Sequence, residues 1–142
     1  YPKLNKRFSG SFGSALMYFV VPKIILFREE HTPRTLVKKV DFISAPGTSP
    51  SNVYRPGGPK YLITNKALFS FNSKDKNFKI EKINPEFSLD EVTKSTGFEF
   101  KTNKDLKYFT MPSQKRIEIL RNIIAPKVLN FYPQFAKKLW FN

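Results

Sequence analysis

Apolar and polar positions along this chain follow two periods. At 77–83, NFKIEKI sets Phe78 and Ile80 against Lys79 and Glu81, the alternation of a strand with one face buried. KYLITNKALFSF at 60–71 reads as two strand halves around Asn65-Lys66, so a meander of short strands is predicted. Upstream, KIILFREE at 23–30 reads as a buried strand running out to a polar end. KVDFIS at 39–44 reads as a second short strand through Val40, Phe42 and Ile43, with a turn in the intervening HTPRTLV.

The period then changes to helical. In PEFSLDEVTKSTGFEF, at 85–100, the Ser88 hydroxyl is placed to accept from the Glu91 N–H and the Glu91 carboxylate from the Ser88 N–H, while Phe87 can pack onto Val92. A helix over 89–96 follows, with Gly97 expected as its left-handed C-terminal residue. PSQKRIEILRNII places Ile117, Leu120 and Ile124 on one face and predicts a second helix at about 112–124, with Pro112 tolerated in the first turn and Pro126 ending it. The last residues, NFYPQFAKKLWFN, read as a tail docked on its own domain or an arm for a partner. Residues 45–59 hold four prolines and three glycines and can only be a loop.

Composition narrows the classes. A chain of 142 residues with 40% hydrophobic content supports one compact domain. The absence of Cys removes disulfide scaffolds, Cys-ligated zinc, iron–sulfur clusters and thiol nucleophiles, and fits a reducing, cytoplasmic setting. One histidine, His31, excludes a His-rich metal site or a two-His catalytic pair within the chain, so no metal is expected. The longest apolar stretch, Leu16 to Val21, falls well short of the roughly 20 residues of a membrane-spanning helix. The chain starts at Tyr1 without a signal-peptide pattern, and a segment upstream is expected to be missing. The net charge of +14 favours anionic partners. It is uneven, at +6 over residues 1–40, +1 over 41–100 and +7 over 101–142.

Individual candidates for chemistry are few. His31 ends a strand with no second histidine or nucleophile beside it in sequence, and is read as a histidine satisfied by hydrogen bonds. Glu29 and Glu30 are adjacent, point to opposite sides of a strand and cannot pair in one pocket. Arg7 to Ala15, RFSGSFGSA, reads as a small-residue loop that matches neither the dinucleotide nor the phosphate-loop fingerprint.

The order of the segments is more telling than any one of them. The small-residue loop and apolar strand are followed by H-x-x-R-x-x-V-x-K-V-D-F-I from His31 to Ile43 and a Pro/Gly loop opening with Ala45-Pro46-Gly47. Then come G-x-x-x-x-x-T-x-x-A-x-F from Gly58 to Phe69 and D-E-V-x-x-x-T-G-F-E from Asp90 to Glu99. From about Arg7 to about Pro126 this resembles the C-terminal half of the β subunit of family I CoA-transferases, of the glutaconate CoA-transferase type.

The resemblance implies an α/β fold, an open mixed sheet with flanking helices, as a partial domain over residues 1–126 with a basic aromatic tail at 127–142. It implies an α subunit as partner and a CoA thioester as substrate, with no tightly bound cofactor, and it places Gly10 and Gly13 near CoA. In the family a glutamate carboxylate attacks the acyl-CoA thioester, and CoA thiolate opens the mixed anhydride to a glutamyl-CoA thioester. A second carboxylic acid then collects the CoA. The Ser-Glu-x-Gly-like turn that carries this glutamate is absent here, so no catalytic residue is placed on this chain and the enzymatic assignment stays open. Because +14 far exceeds what one CoA requires, the alternative is a non-catalytic basic protein on a shortened CoA-transferase fold that binds RNA or a ribonucleoprotein. Lys3, Lys6, Arg7, Lys101, Lys104, Lys107, Lys137 and Lys138 would contact phosphates, and Trp140 would stack on bases.

Overall fold

A computed structural model describes residues 12–141. The chain divides into two compact units, one ending at Phe109 and one starting at Thr110. The division expected after residue 126 falls inside the second.

In the first unit, helix α1 (Phe12–Val20) leads into strand β1 (Ile24–Arg28), and the Pro/Gly loop leads to β2 (Pro59–Thr64). The hairpin partners β3 (Ala67–Asn72) and β4 (Asn77–Ile83) follow, then helix α2 (Leu89–Ser95) and the short strands β5 (Phe100–Lys101) and β6 (Lys107–Tyr108). Among the described residues these six strands form one mixed sheet in the order β1-β2-β3-β4-β5, with β6 also on β4. The β1/β2, β4/β5 and β4/β6 pairs are parallel, and the two hairpins are antiparallel. A parallel return needs a crossover, and α2 supplies the one between β4 and β5. The expected open mixed sheet with flanking helices is what the chain forms.

Pairing register sorts the side chains. Leu26, Leu62, Phe69 and Ile80 lie directly opposite one another across four strands and make the core face. Val92 of α2 belongs to the same buried cluster, with Phe87, Phe98 and Phe100 at its rim. The capping box forms as predicted: the Glu91 N–H donates to the Ser88 hydroxyl at 3.2 Å, and the Ser88 N–H donates to the Glu91 carboxylate at 2.8 Å. These hydrogen bonds, the backbone one foremost, hold the Glu91 carboxyl below its usual range. The opposite face runs Ile25, Tyr61, Ser70, Lys79 and Phe27, Ile63, Leu68, Lys82, apolar at the β1 edge and charged at β4.

Four local expectations are corrected. Residues 39–44 form no strand, because β1 ends the sheet and no strand among the described residues lies beside them to pair with; Val40, Phe42 and Ile43 stay exposed. The strand read at 23–30 exists as β1 but is not buried: Ile25 and Phe27 are 59% and 69% exposed. The part of the small-residue loop from Phe12 onward is the start of α1. Pro126 does not end its helix. α3 (Gln114–Ile119) passes through a π-helical stretch (Leu120–Ile124) into α4 (Ala125–Phe131), and Pro126 sits in the first turn of α4. The wider π turn takes up the missing N–H and the ring at a point where a regular helix would break. After α4, α5 (Pro133–Trp140) completes the second unit.

Gly97 is a glycine for a different reason from the one expected. It does not adopt a left-handed conformation; its N–H donates to the Leu36 carbonyl at 2.7 Å, and a Cβ would collide with that same oxygen. Gly97→Ala is therefore expected to push the 31–37 segment off the end of α2 at a cost of about 1–3 kcal/mol. Urea denaturation checks this: a lower midpoint with an unchanged slope is the expected result.

Candidate functional site

The two most distinctive sequence segments meet at His31. Thr64, the threonine of the first, ends β2, and Thr96, the threonine of the second, follows α2. His31 Nδ1 lies 2.8 Å from the Thr64 hydroxyl and Nε2 2.8 Å from the Thr96 hydroxyl. All three side chains are buried, and the His31 ring sits 6.0 Å from that of Phe69.

Hydrogen-bond balance assigns the tautomer. Thr96 gives its one hydroxyl proton to the Val92 carbonyl at 2.7 Å, so toward the imidazole it can only accept, and Nε2 must carry the hydrogen. The Thr64 oxygen already accepts from the Lys66 and Ala67 N–H groups at 3.2 and 3.0 Å. Its proton has two acceptors in reach, the Ala67 carbonyl at 3.2 Å and the nearer, unprotonated Nδ1 at 2.8 Å. An imidazolium would bring a third donor to an oxygen with two lone pairs. Burial, with the Lys66 ammonium adding repulsion, pulls the His31 pKa from 6.5 down to about 4. His31 is thus the satisfied histidine expected, a neutral pin joining β1, the β2–β3 turn and the end of α2. With both nitrogens committed it has nothing to offer a substrate.

Around it, Glu30 binds Arg34 through both carboxylate oxygens at 3.0 and 2.8 Å and accepts from the Thr32 hydroxyl at 2.9 Å. The Thr32 bond, ahead of the arginines, depresses its pKa. Glu30 is a turn-fixing carboxylate rather than an acid or base.

Arg55, which the sequence pattern does not single out, organises the Pro/Gly loop. It donates to the Tyr18, Pro46 and Gly57 carbonyls at 2.8, 2.6 and 3.1 Å and to the Ser49 hydroxyl at 3.0 Å. The Phe19 ring lies 5.6 Å from the guanidinium carbon. The loop is strapped to α1, with the Gly57 N–H donating to Phe19 O at 2.9 Å and the Gly58 N–H to Val21 O at 3.0 Å. A Cβ on Gly57 would collide with Val21 O, so glycine is required there. A hydroxyl-rich cleft of about 270 Å³ runs beside this strap, lined by Thr48, Ser49, Ser51 and Ser73 among others. Four of the five Arg55 N–H donors are taken by neutral acceptors of its own chain, which fix the guanidinium in place without compensating its charge.

The other sequence candidates lie partly outside the described residues and otherwise on several elements. Lys3, Lys6, Arg7 and Gly10 lie outside the described residues. Gly13 is in the first turn of α1, with nothing within 4 Å of where a Cβ would sit. Lys101 on β5 pairs with Asp75 at 2.6 Å, Lys104 is in the turn after it, and Lys107 is on β6. Lys137, Lys138 and Trp140 belong to α5 in the second unit, and Trp140 stacks edge-on with Phe135 at 6.0 Å. Among the described residues there is no cluster of three or more His, Asp or Glu suited to a metal and no helix long and apolar enough to cross a membrane.

No protein-family model matches the chain. A curated protein does: the β subunit of glutaconate CoA-transferase from Acidaminococcus fermentans is 28% identical over 133 residues, 89% of this chain and 49% of the relative. The chain is homologous to the glutaconate CoA-transferase β subunit. The crystal structure of that organism's glutaconate CoA-transferase superposes with a TM-score of 0.70 at 25% identity, covering 87% of this chain and 49% of the other. Two further structures show the same fold. Rhodococcus jostii RHA1 IpdAB has a TM-score of 0.73 at 22% identity over 88% of this chain and 52% of its own. The decarboxylase AibA/AibB has 0.66 at 21% over 84% and 45%. The chain therefore spans about half the length of the relatives it matches. These relatives give no support to an RNA partner.

Proposed function

We propose that this chain is one half of a CoA-transferase-like β subunit, the half that builds the scaffold and not the half that carries the nucleophile. Complete, with an α subunit, it would move CoA from an acyl-CoA to a carboxylic acid. The homology to the glutaconate CoA-transferase β subunit over nine-tenths of the chain carries this reading. It is the fold's match with a decarboxylase that makes the homology necessary: one scaffold hosts different chemistries, so function has to come from the site.

The described residues fit a supporting role. Glu30 is tied up with Arg34, and His31 is closed on both nitrogens. The reactive glutamate would come from the remaining half. Its carboxylate would attack the thioester carbonyl and expel CoA thiolate. The thiolate would then attack the glutamyl carbonyl and release the acyl group as a carboxylate, leaving a glutamyl-CoA thioester for the acceptor acid. Gly10 and Gly13, the second of them at the start of α1, are where the resemblance would bring CoA.

Trapping tests this. The chain alone, incubated with an acyl-CoA and a carboxylate, is expected to transfer nothing. The chain completed by the other half and an α subunit is expected to transfer CoA and, after borohydride or hydroxylamine, to show a modified glutamate outside these 142 residues. An adduct within them, or no transfer by the complete assembly, overturns the reading.

A further inference from the structure

The cleft beside the Arg55 strap is rich in hydrogen-bond donors and holds no carboxylate. Arg55 and Lys60 line it together with Thr48, Ser49, Ser51 and Ser73. Hydrogen bonds to neutral groups and the Phe19 ring hold the Arg55 guanidinium, so its charge stands at a fixed point before anything binds. Ser49 accepts one of those bonds and keeps its own proton to give elsewhere. Among the described residues, the Thr48, Ser51 and Ser73 hydroxyls and the Lys60 ammonium have no partner. Pro50, Pro56 and Pro59 stiffen the walls. Asp75, in a neighbouring groove that also reaches Lys60 and Ser73, is taken by Lys101 at 2.6 Å. The cleft lies where β1 and β2 begin, at the opposite end of these strands from His31 and Thr64, and beside the last turn of α1, away from Gly13.

We infer that this cleft binds a phosphate group, either as the free ion or as the end of a small phosphate ester. Two cations match the two charges of a dianion. A tetrahedron of oxygens can accept from the guanidinium, the ammonium and several hydroxyls at once, which a planar carboxylate with one charge does less fully. At about 270 Å³ the space is slightly below the roughly 300–1,000 Å³ of sites for drug-sized ligands, so the molecule that carries the phosphate is small. Every group named belongs to this chain, so the site stands whether or not the proposed CoA transfer does.

The test is a titration of the whole 142-residue chain with inorganic phosphate, and separately with glycerol 3-phosphate, at constant ionic strength balanced with chloride and followed by amide NMR. The amides of Thr48, Ser49, Ser51 and Ser73 are expected to shift together along one saturable curve. Lys60→Gln, which removes an exposed charge without touching the strap, should weaken binding about threefold to tenfold, and Ser73→Ala about twofold. Lys82→Gln, on β4 and outside the cleft, should leave it unchanged. Arg55→Gln should abolish saturation. Because that variant also loosens the loop, the Lys60 and Ser73 variants decide. Tighter binding of glycerol 3-phosphate than of phosphate supports the site and assigns it to esters; the reverse supports it and assigns it to the free ion. Shifts that rise without saturating, that chloride alone reproduces, or that Lys82→Gln reduces as much as Lys60→Gln overturn the inference.

Discussion

Phe69→Ala is expected to lower the unfolding free energy of the first unit by about 3–5 kcal/mol, against the roughly 5–15 kcal/mol that a domain has in total. Phe69 has no solvent exposure and stands where every layer of the core meets. Its ring meets Phe78 of β4, Phe98 after α2 and Phe100 of β5 edge-on, with centroids 6.3, 6.3 and 5.2 Å away, and the His31 ring from a fourth direction. Removing it leaves a cavity walled by side chains from four separate segments. Each is held by its own backbone bonds, so the hole cannot close by one segment moving. Edge-to-face ring contacts add to the loss beyond the area exposed. Guanidinium or urea denaturation followed by far-UV circular dichroism measures it. A loss under about 1 kcal/mol would mean that the 96–101 segment does not pack on the sheet as described.

How much of this fold is legible in the sequence depends on how far apart along the chain the deciding partners lie. The capping box of Ser88 and Glu91, the β2–β3 turn at Asn65-Lys66 and the alternation of β4 are local, and the pattern of residues shows them. The local rule for helix ends points to Gly97, but what requires a glycine there is the Leu36 backbone, 61 positions upstream in the chain. Val40, Phe42 and Ile43 have strand chemistry without a strand beside them, so composition points one way and topology the other. Pro126 looks like a stop because nothing in the sequence announces a π turn ahead of it.

The same limit applies to the site. Thr64 and Thr96 both belong to the distinctive segments, yet only the fold shows that their shared meaning is a grip on His31, 33 and 65 positions away. Arg55 escapes pattern reading because its acceptors are mostly backbone carbonyls, which carry no side-chain signature. The reactive glutamate of the proposed function is a different case, since it would lie outside the chain and leave no trace in its pattern.

The His31 pin predicts an acid-sensitive fold with a defined window. The group's pKa is lowered from 6.5 to about 4 on folding, so below 6.5 the unfolded chain binds a proton that the folded chain refuses. Stability from this source is fully present above pH 6.5 and is lost as pH falls, with the slope flattening below pH 4. At 1.36 kcal/mol per unit of pKa difference, the loss is about 2 kcal/mol at pH 5 and about 3 kcal/mol at pH 4 relative to pH 7.5. Denaturation midpoints taken at half-unit steps between pH 7.5 and 4 should trace that curve, and His31→Gln should flatten it while lowering stability at every pH. The two threonines separate the roles of the ring nitrogens. Thr96→Val strands the Nε2 hydrogen and costs about 1–3 kcal/mol. Thr64→Val strands Nδ1 together with the Lys66 and Ala67 N–H groups, and should cost more. Equal costs, or a pH profile that His31→Gln leaves untouched, would mean that the acid sensitivity resides in other groups and that the ring is held by packing against Phe69 alone.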